Sequence, residues 1–105
     1  FENLIASHLL KFTNFLFERD GYKTGLYYLR NVDKKEVDLL VTVDNKPWFA
    51  VEVKLSETIP SNNLTYFKDR LNIPFNFQVV KQEGIDIIKN EIRIMSANKF
   101  LSALV

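Results

Sequence analysis

Three residues on two neighbouring extended segments carry most of the chemistry this chain could perform. Asp38 lies in Glu36-Val37-Asp38-Leu39-Leu40, and Glu52 and Lys54 lie in Phe49-Ala50-Val51-Glu52-Val53-Lys54. Asp44-Asn45-Lys46 separates the two runs, which therefore read as a hairpin. With the loop symmetric about Asn45, Val41 faces Phe49, Leu39 faces Val51 and Val37 faces Val53 on one apolar face. The other face then holds Thr42 with Trp48, Leu40 with Ala50, Asp38 with Glu52 and Glu36 with Lys54. A slip of one residue would mix the faces, so the hydrophobic pattern itself argues for this register.

Two carboxylates set directly opposite have β-carbons ~5 Å apart and destabilise a sheet unless something compensates. A hard cation is the natural compensator: Mg²⁺, or Mn²⁺ in its place, takes oxygen ligands, commonly one or two carboxylates with water and substrate phosphate. Lys54, two residues beyond Glu52, projects on the same face. Its ammonium could orient a water or stabilise charge developing on an attacked phosphate. The plain alternative is a wet hairpin face on which Lys54 neutralises its neighbours through surface pairs worth ~0.2–1 kcal/mol. Leu40, Ala50 and Trp48 on that face argue for partial burial instead, which raises the cost of an unpaired charge.

Other candidates carry less. His8 is the single histidine, and neither a triad nor a multi-histidine metal site can be built around it. Phe12, Phe15 and Phe17 sit at helical spacing without interleaved Arg, so they read as core or docking face rather than a base-stacking platform. Trp48 could shield the charged cluster or pack in the core. Lys34, Lys35, Lys54, Lys68 and Arg70 are candidates for a local basic face, against the simpler reading of solvated surface.

The elements that must position these groups follow from periodicity. From Glu2 to about Arg19, Ile5, Leu9, Phe12 and Leu16 recur as one helical face, flanked by Leu10 and Phe17, and Asp20-Gly21 ends the helix. Leu26 to Arg30 reads as a short strand, Asn31 to Lys35 as a polar turn, and the hairpin strands as Glu36 to Val43 and Pro47 to Leu55. A helix capped by Ser61 or Asn62 carries Leu64, Phe67 and Leu71 and stops before Pro74. Phe75 to Val80 and Glu91 to Met95 alternate as strands, Ile85 to Ile88 is ambiguous, and a short helix capped by Ser96 would bury Phe100, Leu101 and Leu104. The order α-β-β-β-α-β-β-α makes a mixed α/β or α+β domain.

Bulk properties bound the answer. A chain of 105 residues holds one core, so residues 1–105 read as a single domain. Fourteen Lys and Arg against thirteen Asp and Glu give no electrostatic argument for DNA binding. The absence of cysteine removes disulfides and thiolate zinc sites and makes a cytoplasmic location the default. No apolar run approaches the ~18 residues of a membrane span. The start at Phe1, without an initiator Met, leads us to expect a piece of a longer protein.

The Asp38 and Glu52-Val53-Lys54 pattern resembles the PD-(D/E)XK nuclease-like superfamily. More narrowly, Phe1-Glu2-Asn3-Leu4, Tyr27-Tyr28-Leu29-Arg30, Glu36-Val37-Asp38, Glu52-Val53-Lys54 and Lys99-Phe100-Leu101 resemble the uncharacterised C-terminal domain that follows the ATPase module of prokaryotic AAA-type ATP-binding proteins. The resemblance spans nearly the whole chain. It implies a restriction-endonuclease-like core with a central mixed sheet of four to five strands flanked by helices. It also implies Asp38, Glu52 and Lys54 as catalytic residues, with Mg²⁺ or Mn²⁺ on Asp38 and Glu52 and with Glu2 as a further metal carboxylate. The partners it implies are DNA and the ATPase module of the same parent chain. The alternative is a non-catalytic recognition, regulatory or subunit-contact domain with a vestigial site, in which self-association through the aromatic first helix is open. No Gly-x-x-x-x-Gly-Lys-Ser/Thr loop occurs, so no ATP hydrolysis is expected of these residues.

Overall fold

The computed structural model describes residues 2–30 and 36–104. The predicted turn over 31–35, with Lys34 and Lys35, lies outside them, as does the Glu36 side chain. The elements are α1 (Glu2–Asp20), β1 (Thr24–Arg30), β2 (Glu36–Val43), β3 (Lys46–Lys54), α2 (Asn62–Leu71), β4 (Phe75–Val80), β5 (Asp86–Lys89), β6 (Ile92–Ser96) and α3 (Ala97–Ala103). They form one six-stranded sheet in the order β1-β2-β3-β4-β6-β5. The β3/β4 and β4/β6 pairs are parallel and the others antiparallel. The expectation of a mixed sheet flanked by helices holds, but six strands replace four to five. The extra one is β5, drawn from the ambiguous Ile85–Ile88 run and fixed by antiparallel pairing with β6.

Each face of the sheet carries its own core. Ile5 and Leu9 of α1 and Phe100 of α3 pack on Leu39, Val41, Phe49, Val51, Val79 and Met95. On the opposite face Leu64 and Phe67 of α2 pack with Val37, Leu40, Ala50, Val80, Ile92 and Ile94. Central strands covered on both sides are the usual state of parallel pairs, which need a crossover helix such as α2 between β3 and β4. No helix among the described residues is long and apolar enough to cross a membrane.

The hairpin register agrees with expectation in its middle and departs at both ends. Leu39 pairs with Val51, Leu40 with Ala50 and Val41 with Phe49. The turn, however, has two residues, with Asp44 at φ 52 and Asn45 at φ 65, and Val43 pairs with Lys46. Positive φ at both positions suits the twist of a tight hairpin. Thr42 therefore faces Pro47 rather than Trp48, and Trp48 is the extra residue that restores the register before Phe49. Its ring turns to Phe12 and Phe49, at centroid distances of 5.9 and 5.0 Å, so it belongs to the α1 side and does not shield the charged cluster.

A second bulge lies at the site. Between the pairs Tyr27↔Leu40 and Leu29↔Val37, β2 has one more residue than β1, so Asp38 and Leu39 share one partner position. The alternation of β2 skips there. Val37 consequently packs on the α2 face with Leu40 and not with Leu39 and Val51, as the simple hairpin had required.

Candidate active site

Glu52 is placed by β3, which puts it on the same face as Ala50, the face covered by α2. Only 5% of the residue is exposed. Its Oε1 is 3.8 Å from Lys54 Nζ, while Oε2 is buried with no hydrogen-bond partner among the described residues. Burial pushes the Glu52 carboxyl above its ordinary value; the Ser61 hydroxyl and the Lys54 ammonium pull it back, and Asp38 and Glu57 add to the rise. A buried carboxylate oxygen with no partner costs free energy, and a site that tolerates one is a candidate for a ligand.

Asp38 does not stand as the regular cross-strand partner of Glu52. The paired register closes at Leu39 and Val51, and beyond it Asp38 Oδ2 accepts the Val53 amide hydrogen at 2.7 Å. The Asp38 carboxylate thus serves the Val53 amide beside the bulge at Asp38–Leu39. Asp38 and Glu52 remain close enough to repel, as the rise in Glu52 records. Lys54 ends β3 with a partly exposed side chain, and its carbonyl accepts Lys81 N–H at 3.2 Å, tying the strand end to β4.

Glu2, in the first turn of α1, comes to the same end of the sheet. It lines an open cleft of ≈ 470 Å³ with Val53, Lys54, Leu55, Ser56 and Glu57. Among the described residues no group of three or more His, Cys, Asp or Glu side chains gathers as a metal cluster. Glu52 Oε2, buried without a partner among the described residues, and the Asp38 carboxylate, bonded through Oδ2 to Val53 N–H, make a donor set of the kind Mg²⁺ accepts when waters complete its shell.

A family model described as a domain of unknown function (DUF4143) matches residues 1–100. The chain belongs to that family. A comparison with curated proteins and another with solved structures give no match. Membership in DUF4143 agrees with a resemblance running nearly the length of the chain and assigns no activity.

Within this DUF4143 domain the sequence reading missed Gln78 altogether, and it took Ser61 as a possible cap of α2 but not as a neighbour of Glu52. Ser61 caps α2 in extended conformation, its hydroxyl accepting Leu64 N–H at 3.3 Å, and its own N–H donates to Gln78, the β4 neighbour of Glu52, at 2.8 Å. Gln78, the β4 partner of Glu52 in the parallel register, is fully buried. A polar residue alternating with Phe77 and Val79 gives no warning of burial when both faces of the strand are covered. The sequence signal available for Ser61 was its place as a cap before an apolar helical run.

The remaining candidates are structural. His8 Nδ1 lies 2.9 Å from the Leu4 carbonyl within α1. The Arg70 guanidinium lies 5.7 Å from the centroid of the Tyr66 ring on the same helix. Lys68 pairs with Asp69 and Glu91, at 3.0 and 3.6 Å. Ser96 precedes α3 without capping it through its side chain. Its hydroxyl instead donates to the Gln82 carbonyl at 2.7 Å and accepts Ile85 N–H at 2.8 Å, pinning the β4–β5 connection.

Proposed function

We propose that this is a metal-dependent, nuclease-like domain that hydrolyses phosphodiesters in DNA and serves as one part of an ATP-binding protein. The observation that supports it is the Glu52 carboxylate: buried, raised, lacking a partner at Oε2, and with an ammonium 3.8 Å from Oε1. When bound, Mg²⁺ would supply Lewis-acid stabilisation of a phosphoryl oxygen and a more acidic water. Glu52 and Asp38 would hold the ion. Val53 N–H fixes Asp38 through Oδ2, and Oδ1 would be the atom that ligates. Lys54, at the end of β3, would meet negative charge on the attacked phosphate. Glu2 lines the same cleft without gathering with Asp38 and Glu52 as a three-carboxylate cluster, so its part would run through a water in the ion's shell.

The test is a calorimetric titration of Mn²⁺ into the 105-residue chain, followed by incubation of a labelled duplex with Mn²⁺ or Mg²⁺. Saturable binding that weakens in Glu52→Gln, together with cleavage, is expected. Absence of Mn²⁺ binding would remove the basis of this reading.

A second reading, a recognition or regulatory domain with a vestigial site, is favoured by one observation: Asp38 already has a structural task, closing the bulge through Val53 N–H. It predicts that Glu52→Ala leaves partner binding and control of an attached ATPase unchanged. The exposed Leu10, Phe15 and Phe17 on α1 support a contact role in that case.

A further inference from the structure

Gln78 occupies the centre of the sheet, on β4 between Glu52 of β3 and Ile94 of β6, and none of its surface is exposed. An aliphatic side chain would suit that place better, since Val80 and Ile94 on the same face are apolar and burying an amide costs free energy unless its groups are bonded. The amide is fully used. Oε1 accepts Ser61 N–H at 2.8 Å, and Nε2 donates to the Glu57 carbonyl at 2.9 Å and the Ile59 carbonyl at 3.0 Å. Two carbonyls and one N–H around it admit only this orientation of the amide.

All three bonds go to one short segment, the loop from Glu57 to Ser61 that joins β3 to α2. The loop presents Ile59 to solvent. Among the described residues its other hydrogen bonds are that from Lys89 Nζ to the Thr58 carbonyl at 3.2 Å and, at its last residue, those of Ser61 with Leu64 and Thr65, which tie Ser61 to α2 but not to the sheet. That last residue is the α2 cap, which the Gln78 amide ties to the β4 position paired with Glu52. One buried side chain thus sets how far the loop, the cap and the helix N-terminus stand from the carboxylate beside it in the sheet.

We infer that Gln78 is a positioning residue: by clamping the Glu57–Ser61 loop it holds Ser61 and the N-terminus of α2 beside the Glu52 carboxylate. Its effect on cation affinity rests on the ligand role proposed for Glu52; the clamp itself does not.

The test uses amide hydrogen exchange on the metal-free chain and titration with Mn²⁺ alone. In the wild type, Ser61 N–H is bonded to a side chain and to no ladder, yet it is expected to exchange as slowly as the interior amides of β4. Exchange at open-loop rates would overturn the inference without any variant, which also covers the case in which Gln78→Met fails to fold. Gln78→Met keeps the length of the side chain and removes all three bonds. Folded, it is expected to lose Ser61 protection and to bind Mn²⁺ roughly tenfold to a hundredfold more weakly, the usual cost of a lost outer-shell partner. Ile92→Val, a core change on the same face, serves as the stability control and should bind as the wild type does. A folded Gln78→Met with slow Ser61 exchange, or with wild-type Mn²⁺ affinity, would overturn the inference. A wild type that protects Ser61 but takes up no Mn²⁺ would support the clamp and defeat the ligand reading of Glu52.

Discussion

Asp38 Oδ2 and the Val53 amide form a 2.7 Å hydrogen bond at the point where β2 and β3 stop pairing through their backbones. The bond gives Asp38 a task in the fold that is separable from any task in chemistry. Asp38→Ala leaves a partly buried N–H without an acceptor and should cost about 1–3 kcal/mol. Asp38→Asn retains an oxygen acceptor, and its stability should fall by less than about 1 kcal/mol, while the lost charge weakens Mn²⁺ binding. Chemical denaturation and Mn²⁺ titration of both variants check this. Equal destabilisation by Asn and Ala would show that the bond depends on the charge.

Glu52 gives the domain an unusual pH dependence. Burial lifts its carboxyl above the ordinary 4.5, so the folded protein holds this proton at a pH where the unfolded chain has released it. Its contribution to stability is therefore complete below 4.5 and is lost as pH rises through the folded value. Asp86 acts oppositely. Its bond from Arg93 holds its carboxyl below the ordinary 3.8, so that contribution disappears only as pH falls through the folded value. Glu52→Gln should accordingly raise stability at pH 7 by roughly 1 kcal/mol, since a buried charge with one unbonded oxygen is removed. At pH 4 the gain should vanish. Thermal melts of both proteins across that range check it, and an equal gain at both pH values would contradict the assignment.

Lys54 should separate charge placement from stability. Its pairing with Glu52 is at 3.8 Å and its side chain is about one-third exposed, so Lys54→Met should cost less than ~1 kcal/mol. Loss of the ammonium would still leave Glu52 with less to oppose its protonation, moving its carboxyl further up. If the domain cleaves phosphodiesters, the same change should lower the rate by roughly 10² or more, as removal of a preorganised charge at a developing oxyanion does. Parallel melts and single-turnover cleavage assays would show the two effects diverging.

How far the sequence could be read follows from which contacts decided each feature. The middle of the β2–β3 hairpin was legible because Leu39, Val41, Phe49 and Val51 form a face whose pattern tolerates no slip. Its turn was not, because a two-residue turn followed by a bulge at Trp48 produces the same central register as a three-residue loop. The bulge at Asp38 depends on pairing with β1, which no pattern within β2 records. The acidic and Glu-x-Lys residues were legible as types and spacing. The depth of Glu52 and the burial of Gln78 were not, since both follow from α2 and its loop covering the sheet.

The β5–β6 connection illustrates the same difficulty and yields a direct test. Asn90 and Glu91 adopt φ 52 and φ 65, so that Lys89 pairs with Ile92 across a two-residue turn. Asn tolerates this left-handed region, but for Glu the side chain crowds the following carbonyl, a cost of roughly 1–2 kcal/mol that Gly does not incur. Asn-Gly is the preferred pair for such a turn, whereas Asn-Glu carries no turn signal, and this is why Ile85–Ile88 looked ambiguous. The Glu91 carboxylate does reach Lys68, at 3.6 Å, but from an almost fully exposed position where such pairs are worth a few tenths of a kcal/mol. Glu91→Gly should therefore stabilise the domain by about 1 kcal/mol, raising Tm by roughly 4–8 °C. Glu91→Val, β-branched at the same φ, should destabilise it. Thermal melts of the two variants check the pair, and a lower Tm for Glu91→Gly would mean that the Lys68 contact outweighs the backbone strain.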